Sequence, residues 1–472
     1  MKRFKFLQNE TAYILFWSIL VGFGLGVLSL VAQNVSSKWV IVIVGTVFAP
    51  IIVLLVKDIK KLILISFIVD SLLGIDIAIQ NKGWHRGGPT GFLVSLMTIG
   101  LIVGYALWII EKKPKPRFCL VTTVPGLLIL LTVALSFYNS PYWQLSAFGL
   151  FLKAQAFLMY FYVINHVTTW QDRRLVLIIL IICLLLQGSL MILQYFSGTS
   201  LNIGGLITSE SMAMGGEGVV GDRVSGTLVR PGNAALYLNS LISIMLGLMF
   251  ADSLLTEWFP WIVMAAIVGI MALLFTSSRG GWIAFAISMI IVIGRGLWIK
   301  QGRKAIFIFL VLMAVFLLIF GGQVKERLVT IEEDRSREWL DTMAYNIIRA
   351  YPFGIGENTY DLYMSDRYAH PAMVGHTHLP VHNRYLMIWA ETGLHGLIAF
   401  ILLLAAPFWQ AREWFFNTQA DPDRVALGVG LLGGLTSQIV HMRSENFYGL
   451  HQTTLLWFLI AMIVSVNQNG RD

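Results

Sequence analysis

An all-α, polytopic membrane protein of about 12–14 spanning helices with a long external loop is the fold this sequence predicts, and three observations carry it. Of 472 residues, 57% are hydrophobic and 13% charged, against about 45–50% and about 25% in soluble globular chains. The apolar residues fall in blocks of about twenty, the length a helix rising 1.5 Å per residue needs to cross a hydrocarbon layer of roughly 30 Å. Short segments rich in lysine and arginine separate alternate blocks, as expected where cytoplasmic loops hold positive charge.

In chain order the blocks lie near residues 12–32, 39–56, 62–79, 90–110, 119–137, 145–165, 175–196, 233–251, 259–276, 281–299, 305–321, 385–409, 425–440 and 448–466. The first is too long for a signal-peptide core and has no small-residue cleavage pattern after it, so it is expected to be retained. The third is interrupted by Asp70 and Asp76, which suits a re-entrant turn as well as a span. Placing the N-terminus inside puts 19 of the 34 lysines and arginines in alternate segments, from Lys2 to Arg471. Fourteen fall on the other side, half of them in one long loop that the rule does not count. Both termini are therefore expected in the cytoplasm. The net charge of +8 is then an orientation signal, not a nucleic-acid footprint. Cys119 and Cys183 lie at or inside apolar blocks without CxxC or His-linked spacing, so neither a disulfide framework nor a cysteine-zinc site follows.

Residues 197–232 and 322–384 are external in this topology and too long and polar to be mere connections. In the second, Trp339, Met343, Ile347 and Tyr351 recur every four residues before Pro352. That pattern predicts an amphipathic helix on the outer membrane surface, stopped by proline. The organisation expected is an N-terminal transmembrane bundle (1–196), a catalytic region (197–410) and C-terminal transmembrane helices (411–472).

The same external side gathers Arg223, Arg230, Arg279 and Arg337, with His382, Asn383 and Arg384 at the mouth of the span beginning near 385. Arginines at external helix ends run against the positive-inside tendency. An anionic ligand would explain them, because guanidinium matches phosphate bidentately. Arg279 stands in Thr276-Ser277-Ser278-Arg279-Gly280-Gly281, where the free amides and positive dipole end of a new helix add to the pull on an anion. Lipid headgroups would draw an arginine to such a turn equally well. Histidine is the side chain suited to proton exchange, and His382 stands where it could exchange one, although a capping histidine is the commoner case. Gly393 and Gly396 read as close-packing points between helices. Lys153 and Glu391, inside spans, are expected to face the protein interior as structural partners.

Four strings in order carry a family resemblance: RVSGTLVRPGN, TSSRGGW, SREW leading to YPFGIGENTY, and HNRYLMIWAETGLHG. The last matches the His-[Asn/Ser]-x9-Gly-x-x-Gly signature of the O-antigen ligase and O-antigen polymerase superfamily, and the others resemble its Arg-x-x-Gly loop, Ser-Arg-Gly turn and long periplasmic loop. The likeness covers roughly residues 200–410. It departs at Arg230-Pro231-Gly232-Asn233, where the family more often has Pro and Asn adjacent.

The resemblance implies a glycosyltransferase of the bacterial inner membrane that moves a glycan from undecaprenyl diphosphate to a lipid or glycan acceptor at the periplasmic face. It implies catalysis without metal or cofactor, and direct displacement at the anomeric carbon would invert its configuration. Within it, Arg223 and Arg279 would hold the diphosphate and His382 would act on the acceptor. Arg230, Arg337, Asn383 and Arg384 would make supporting substrate contacts. Ligase-type transfer is the expectation, repeat-unit polymerase its runner-up. His370, His376, His378 and His382 have spacing that could suit zinc, but the family chemistry needs none. A small-anion transporter would also collect external arginines, yet repeat symmetry and broken midplane helices are not evident.

Overall fold

The computed structural model describes residues 58–73, 76–85, 88–111, 116–198, 202–203, 206–207, 223–228, 230–329, 335–376, 379–417, 419–447 and 449–468. The blocks expected at 12–32 and 39–56 lie outside them. The chain divides into two compact units, residues 1–62 with 202–207 and residues 63–201 with 208–472. Within the first, β3 (Asn202–Ile203) and β4 (Leu206–Ile207) form a minimal antiparallel hairpin. Everything below concerns the second.

Its elements are α1 (Ile59–Leu73, which begins in the first unit), β1 (Asp76–Ile79), β2 (Phe92–Ser95), α2 (Leu96–Ile110), α3 (Leu120–Ser136), α4 (Trp143–His166), α5 (Trp170–Ser197), α6 (Pro231–Leu248), α7 (Phe259–Phe275), α8 (Arg279–Gly296), α9 (Lys300–Val329), α10 (Ser336–Ala350), α11 (Arg384–Phe415), α12 (Pro422–His441) and α13 (Leu450–Gln468). Among the described residues, α3, α4, α5, α7, α8, α11 and α13 are long and apolar enough to cross a membrane.

The block at 62–79 is not one span. Helix α1 ends at Leu73, and β1 pairs antiparallel with β2, Asp76 opposite Ser95. The Asp70 carboxylate accepts the amide of Met97, in the first turn of α2, so the acid that interrupts the apolar run caps a neighbouring helix.

Helices α6 and α12 pack closely against one another. Nearly all of α6 is buried, including Asn239, Ser240 and Ser243, and Gly247, Gly430 and Gly434 bring the two backbones together. A Cβ on Gly430 would lie 2.8 Å from Ile244 Cα, and one on Gly434 2.9 Å from the Ser240 carbonyl oxygen. Small residues let helices approach this closely where no hydrophobic effect drives them together. The N-terminus of α6 and the C-terminus of α12 open onto the candidate site.

Helix α11 is broken at Gly393 (φ 74°, ψ 179°). Such a break strands carbonyls, and the loop after α10 satisfies them: Ile355 N–H donates to Ala390 O (3.0 Å) and Gly356 N–H to Glu391 O (2.9 Å). Gly393 is thus less a helix-packing point than the residue that opens the helix to the loop. A Cβ on Gly354 would lie 2.4 Å from Glu391 O, so the glycines of YPFGIGENTY permit the insertion. Lys153 forms an ion pair with Glu357, and Glu391 accepts the Tyr360 amide. Both in-span charges therefore face inward, towards this loop.

Helix α10 forms where the spacing predicts, but its apolar face does not rest on a membrane surface. Met343, Ala344, Ile347 and Ile348 pack into a core with Ile355, Tyr360, Tyr368, Val381, Leu386 and Met387. The residues after Pro352 fold back over the helix and cover it.

Candidate functional site

A polar cavity of about 170 Å³ is lined by Arg223, Ser277, Ser278, Arg279, Gly280, Arg337, Ser444 and Glu445. Four stretches distant in sequence build it, each held for a local reason. Before α6, Val224 N–H donates to Phe275 O (3.1 Å) and Arg223 Nε–H to Thr276 O (3.2 Å), which docks the arginine on the C-terminal end of α7. In the α7–α8 turn, Ser277 takes a left-handed conformation (φ 49°) and the Ser278 hydroxyl caps α8 by accepting from Gly281 N–H (3.2 Å). Arg279 is the first residue of that helix, beside amides that carry positive partial charge. Arg337 enters from the first turn of α10. The turn after α12 supplies Ser444 and Glu445.

Glycine spacing sets the depth of the cavity. A Cβ on Gly280 would stand 2.3 Å from Ser444 Oγ, and one on Gly232 3.0 Å from the Glu445 carboxylate carbon. The Gly232 that separates proline from asparagine therefore makes room for an acid at the N-terminus of α6.

His382 Nδ1 lies 3.4 Å from Glu445 Oε2, both side chains partly exposed. In the neutral ring, an N–H donated to this carboxylate leaves Nε2 as the proton acceptor. Burial works against the Glu445 carboxylate, but the hydrogen bond from His382 and the charges of His382, His441 and Arg337 outweigh it and hold its pKa below the ordinary glutamate value. Three guanidinium groups and one carboxylate leave the cavity net positive, matched to a multiply charged anion.

Of the residues singled out in the sequence, Arg223, Arg279 and Arg337 line one cavity, and His382 reaches it through Glu445. Arg230 is exposed at the N-cap of α6 and does not line it. Asn383 caps α11, its side-chain oxygen accepting from Tyr385 and Leu386 N–H. Arg384 is buried, 3.4 Å from Asn446 Oδ1. It lines a second, mostly apolar cavity with Lys153 and Glu357. His370 stacks on Trp339 and accepts from Ala372 N–H, while His378 lies outside the described residues. Among the described residues no group of three His, Cys, Asp or Glu is placed to hold a metal ion. Glu445, Ser444 and His441 escaped sequence reasoning. The polar run Arg443-Ser444-Glu445-Asn446 between the last two apolar blocks was the available signal.

A helical protein with membrane-crossing elements and an arginine-lined anion cavity beside a carboxylate-held histidine is the class this architecture defines. Residues 263–401 match the family model described as O-antigen ligase, so this stretch of the chain is similar to the O-antigen ligase family. The match supports a ligase- or polymerase-type function and a glycosyltransferase-like enzyme acting on lipid-linked glycans. No curated protein matches the chain.

Proposed function

We propose that this protein is an inverting, metal-independent glycosyltransferase of the bacterial inner membrane. It transfers a glycan from undecaprenyl diphosphate to a lipid acceptor at the periplasmic face, as an O-antigen ligase does. The observation that carries the reading is the single cavity shared by Arg223, Arg279 and Arg337, one hydrogen bond from His382 through Glu445.

The chemistry follows from those groups. The acceptor hydroxyl oxygen attacks the anomeric carbon while the bond from that carbon to the diphosphate oxygen breaks, and the electron pair leaves with the diphosphate. Arg223 and Arg279, with Arg337 in support, stabilise the growing phosphate charge from fixed positions. The hydroxyl proton passes to His382 Nε2, and Glu445 stabilises the resulting imidazolium. Attack opposite the leaving group inverts the anomeric centre.

Donor affinity and turnover, measured on the purified protein in lipid with folding checked by melting temperature, test the division of roles. His382→Ala should lower turnover by roughly 10² to 10⁴ with donor binding nearly intact, the usual contribution of a positioned base. Arg279→Ala should weaken donor binding as well, because a charge-assisted phosphate contact precedes the transition state. Equal loss of donor binding in both variants would make His382 a phosphate ligand. Surface glycan analysis of a deletion strain separates the acceptors: acceptor left uncapped with chain length intact supports ligase, and single repeat units replace it with polymerase.

A further inference from the structure

His441, the last residue of α12, is wholly buried, and neither Nδ1 nor Nε2 of its ring has a hydrogen-bond partner. Buried polar groups are nearly always paired, and one left unpaired forfeits its hydration without return. The ring lies directly behind the anion cavity. A Cβ on Gly280, which lines that cavity, would come within 3.2 Å of His441 Cδ2. The next residues of the chain, Ser444 and Glu445, line it too, and Phe447 packs edge-on against the imidazole at 5.0 Å. An ordinary core histidine would have found a carbonyl or hydroxyl partner. The nearby Ser444 hydroxyl instead donates to the His441 backbone oxygen (3.1 Å), which leaves the ring unanswered.

We propose that His441 is a further anion-binding residue of this cavity, whose ring N–H takes a phosphate oxygen of the bound diphosphate as its missing partner. The proposal rests on the diphosphate reading of the cavity. Gly280 stands between the ring and the cavity, and because the ring is wholly buried without ligand, contact with a phosphate oxygen requires this side-chain-free turn to shift. Phosphate is the matching chemistry because Arg223, Arg279 and Arg337 face the same space. The unmet hydrogen-bonding capacity at His441 then has a use: it is met only when the donor is present, so it rewards binding and orients the leaving group.

The test uses the full chain in detergent with inorganic pyrophosphate as the probe. Affinity is measured by calorimetry and apo stability by thermal unfolding, for the wild type and for His441→Phe, His441→Gln and Arg279→Ala. His441→Phe should melt no lower than the wild type, because an unpaired polar ring is gone, yet bind pyrophosphate about tenfold more weakly, the loss of one good hydrogen bond. His441→Gln, which keeps an N–H, should recover part of the affinity. Wild-type affinity in both His441 variants alongside loss in Arg279→Ala overturns the proposal and makes His441 a core residue. Should the phenylalanine not fold, the wild-type His441 ring nitrogen signal, assigned by its absence in His441→Gln, must shift on adding pyrophosphate; an unmoved signal overturns it equally. If Arg279→Ala also binds as the wild type does, the diphosphate reading fails and His441 falls with it.

Discussion

At the residue scale, two acid–histidine pairs in this protein have opposite uses. The His382–Glu445 pair is partly open to solvent and borders the cavity, whereas His85 is buried and bonded at both ring nitrogens, to Asp361 Oδ2 (2.6 Å) and Asn358 Oδ1 (2.8 Å). The Asn358 amide nitrogen donates to Pro89 O and Leu145 O, which fixes its oxygen as an acceptor, so His85 must donate twice and carry a proton. Burial pulls its pKa down, but the bonds to Asp361 and Asn358 outweigh that and raise it above the ordinary value. A raised histidine pKa contributes stability that is complete below the unfolded value of about 6.5 and is lost as pH rises through the folded value. Melting temperature should therefore fall above about pH 6.5 in the wild type more steeply than in His85→Leu. The variant should also be less stable at pH 6, by on the order of 3 kcal/mol, because the bond from His85 to the Asp361 carboxylate is removed in a buried setting. A wild-type advantage that stays constant up to pH 9 would remove the protonated latch. For the other pair, Glu445→Gln should keep pyrophosphate binding and lower turnover towards that of His382→Ala, measured in the same assays. The two pairs differed in legibility. His382 was marked by a linear signature, whereas His85 and Glu445 gain their meaning only from partners 276 and 63 positions away.

At the element scale, the break in α11 is the feature with the sharpest backbone requirement. Gly393 occupies a region of conformational space open essentially to glycine alone, and a side chain there would stand 2.8 Å from the Phe353 carbonyl carbon. Gly393→Ala should destabilise the fold by about 1–3 kcal/mol from backbone strain alone, and more once the clash is included. Gly294 in α8 has open space around its would-be Cβ, so Gly294→Ala should be neutral or stabilising by up to about 1 kcal/mol. Thermal unfolding of the two variants side by side decides it, and equal behaviour would mean the break is not required. Helical elements were readable wherever one period ran unopposed, as in α10, with Met343 and Ile347 on the buried face. The stretch after Leu73 suited a re-entrant turn as well as a span, because Asp76, Ile77, Ala78 and Ile79 continue an apolar block in composition while their backbone pairs as a strand. What covers α10 was also hidden, since an amphipathic stripe records that a face is buried and not by what.

At the scale of the whole molecule, several contacts join segments that the charge alternation would place on one side of a membrane. Arg174 pairs with Glu257, Arg295 donates to Phe415 O, Arg424 to Asn467 O and Asp423 accepts from Ser253 N–H, so segments assigned to the cytoplasm meet one another. The cavity residues all come from segments assigned outside. An impermeant thiol reagent applied to intact spheroplasts tests which side is which, in a chain with Cys119 and Cys183 replaced. It should label Ala372→Cys, exposed in the long loop, and miss Gln419→Cys, exposed between α11 and α12. The reverse pattern would turn the cavity to the cytoplasm.

The insertion of the long loop into α11 also limits what recombination can do with this protein. Residues 354–358 are gripped from several sides: Asn139 donates to Gly354 O, the Ser136 hydroxyl receives the Glu357 amide, Ser146 donates to Glu357 O and Lys153 holds the Glu357 carboxylate. A relative's loop grafted between α10 and α11 would arrive with keys cut for another lock on α3 and α4. Exchange of acceptor specificity by swapping that loop should therefore succeed only when residues 136–153 travel with it, and a loop-only chimera should lose its fold before it changes its substrate.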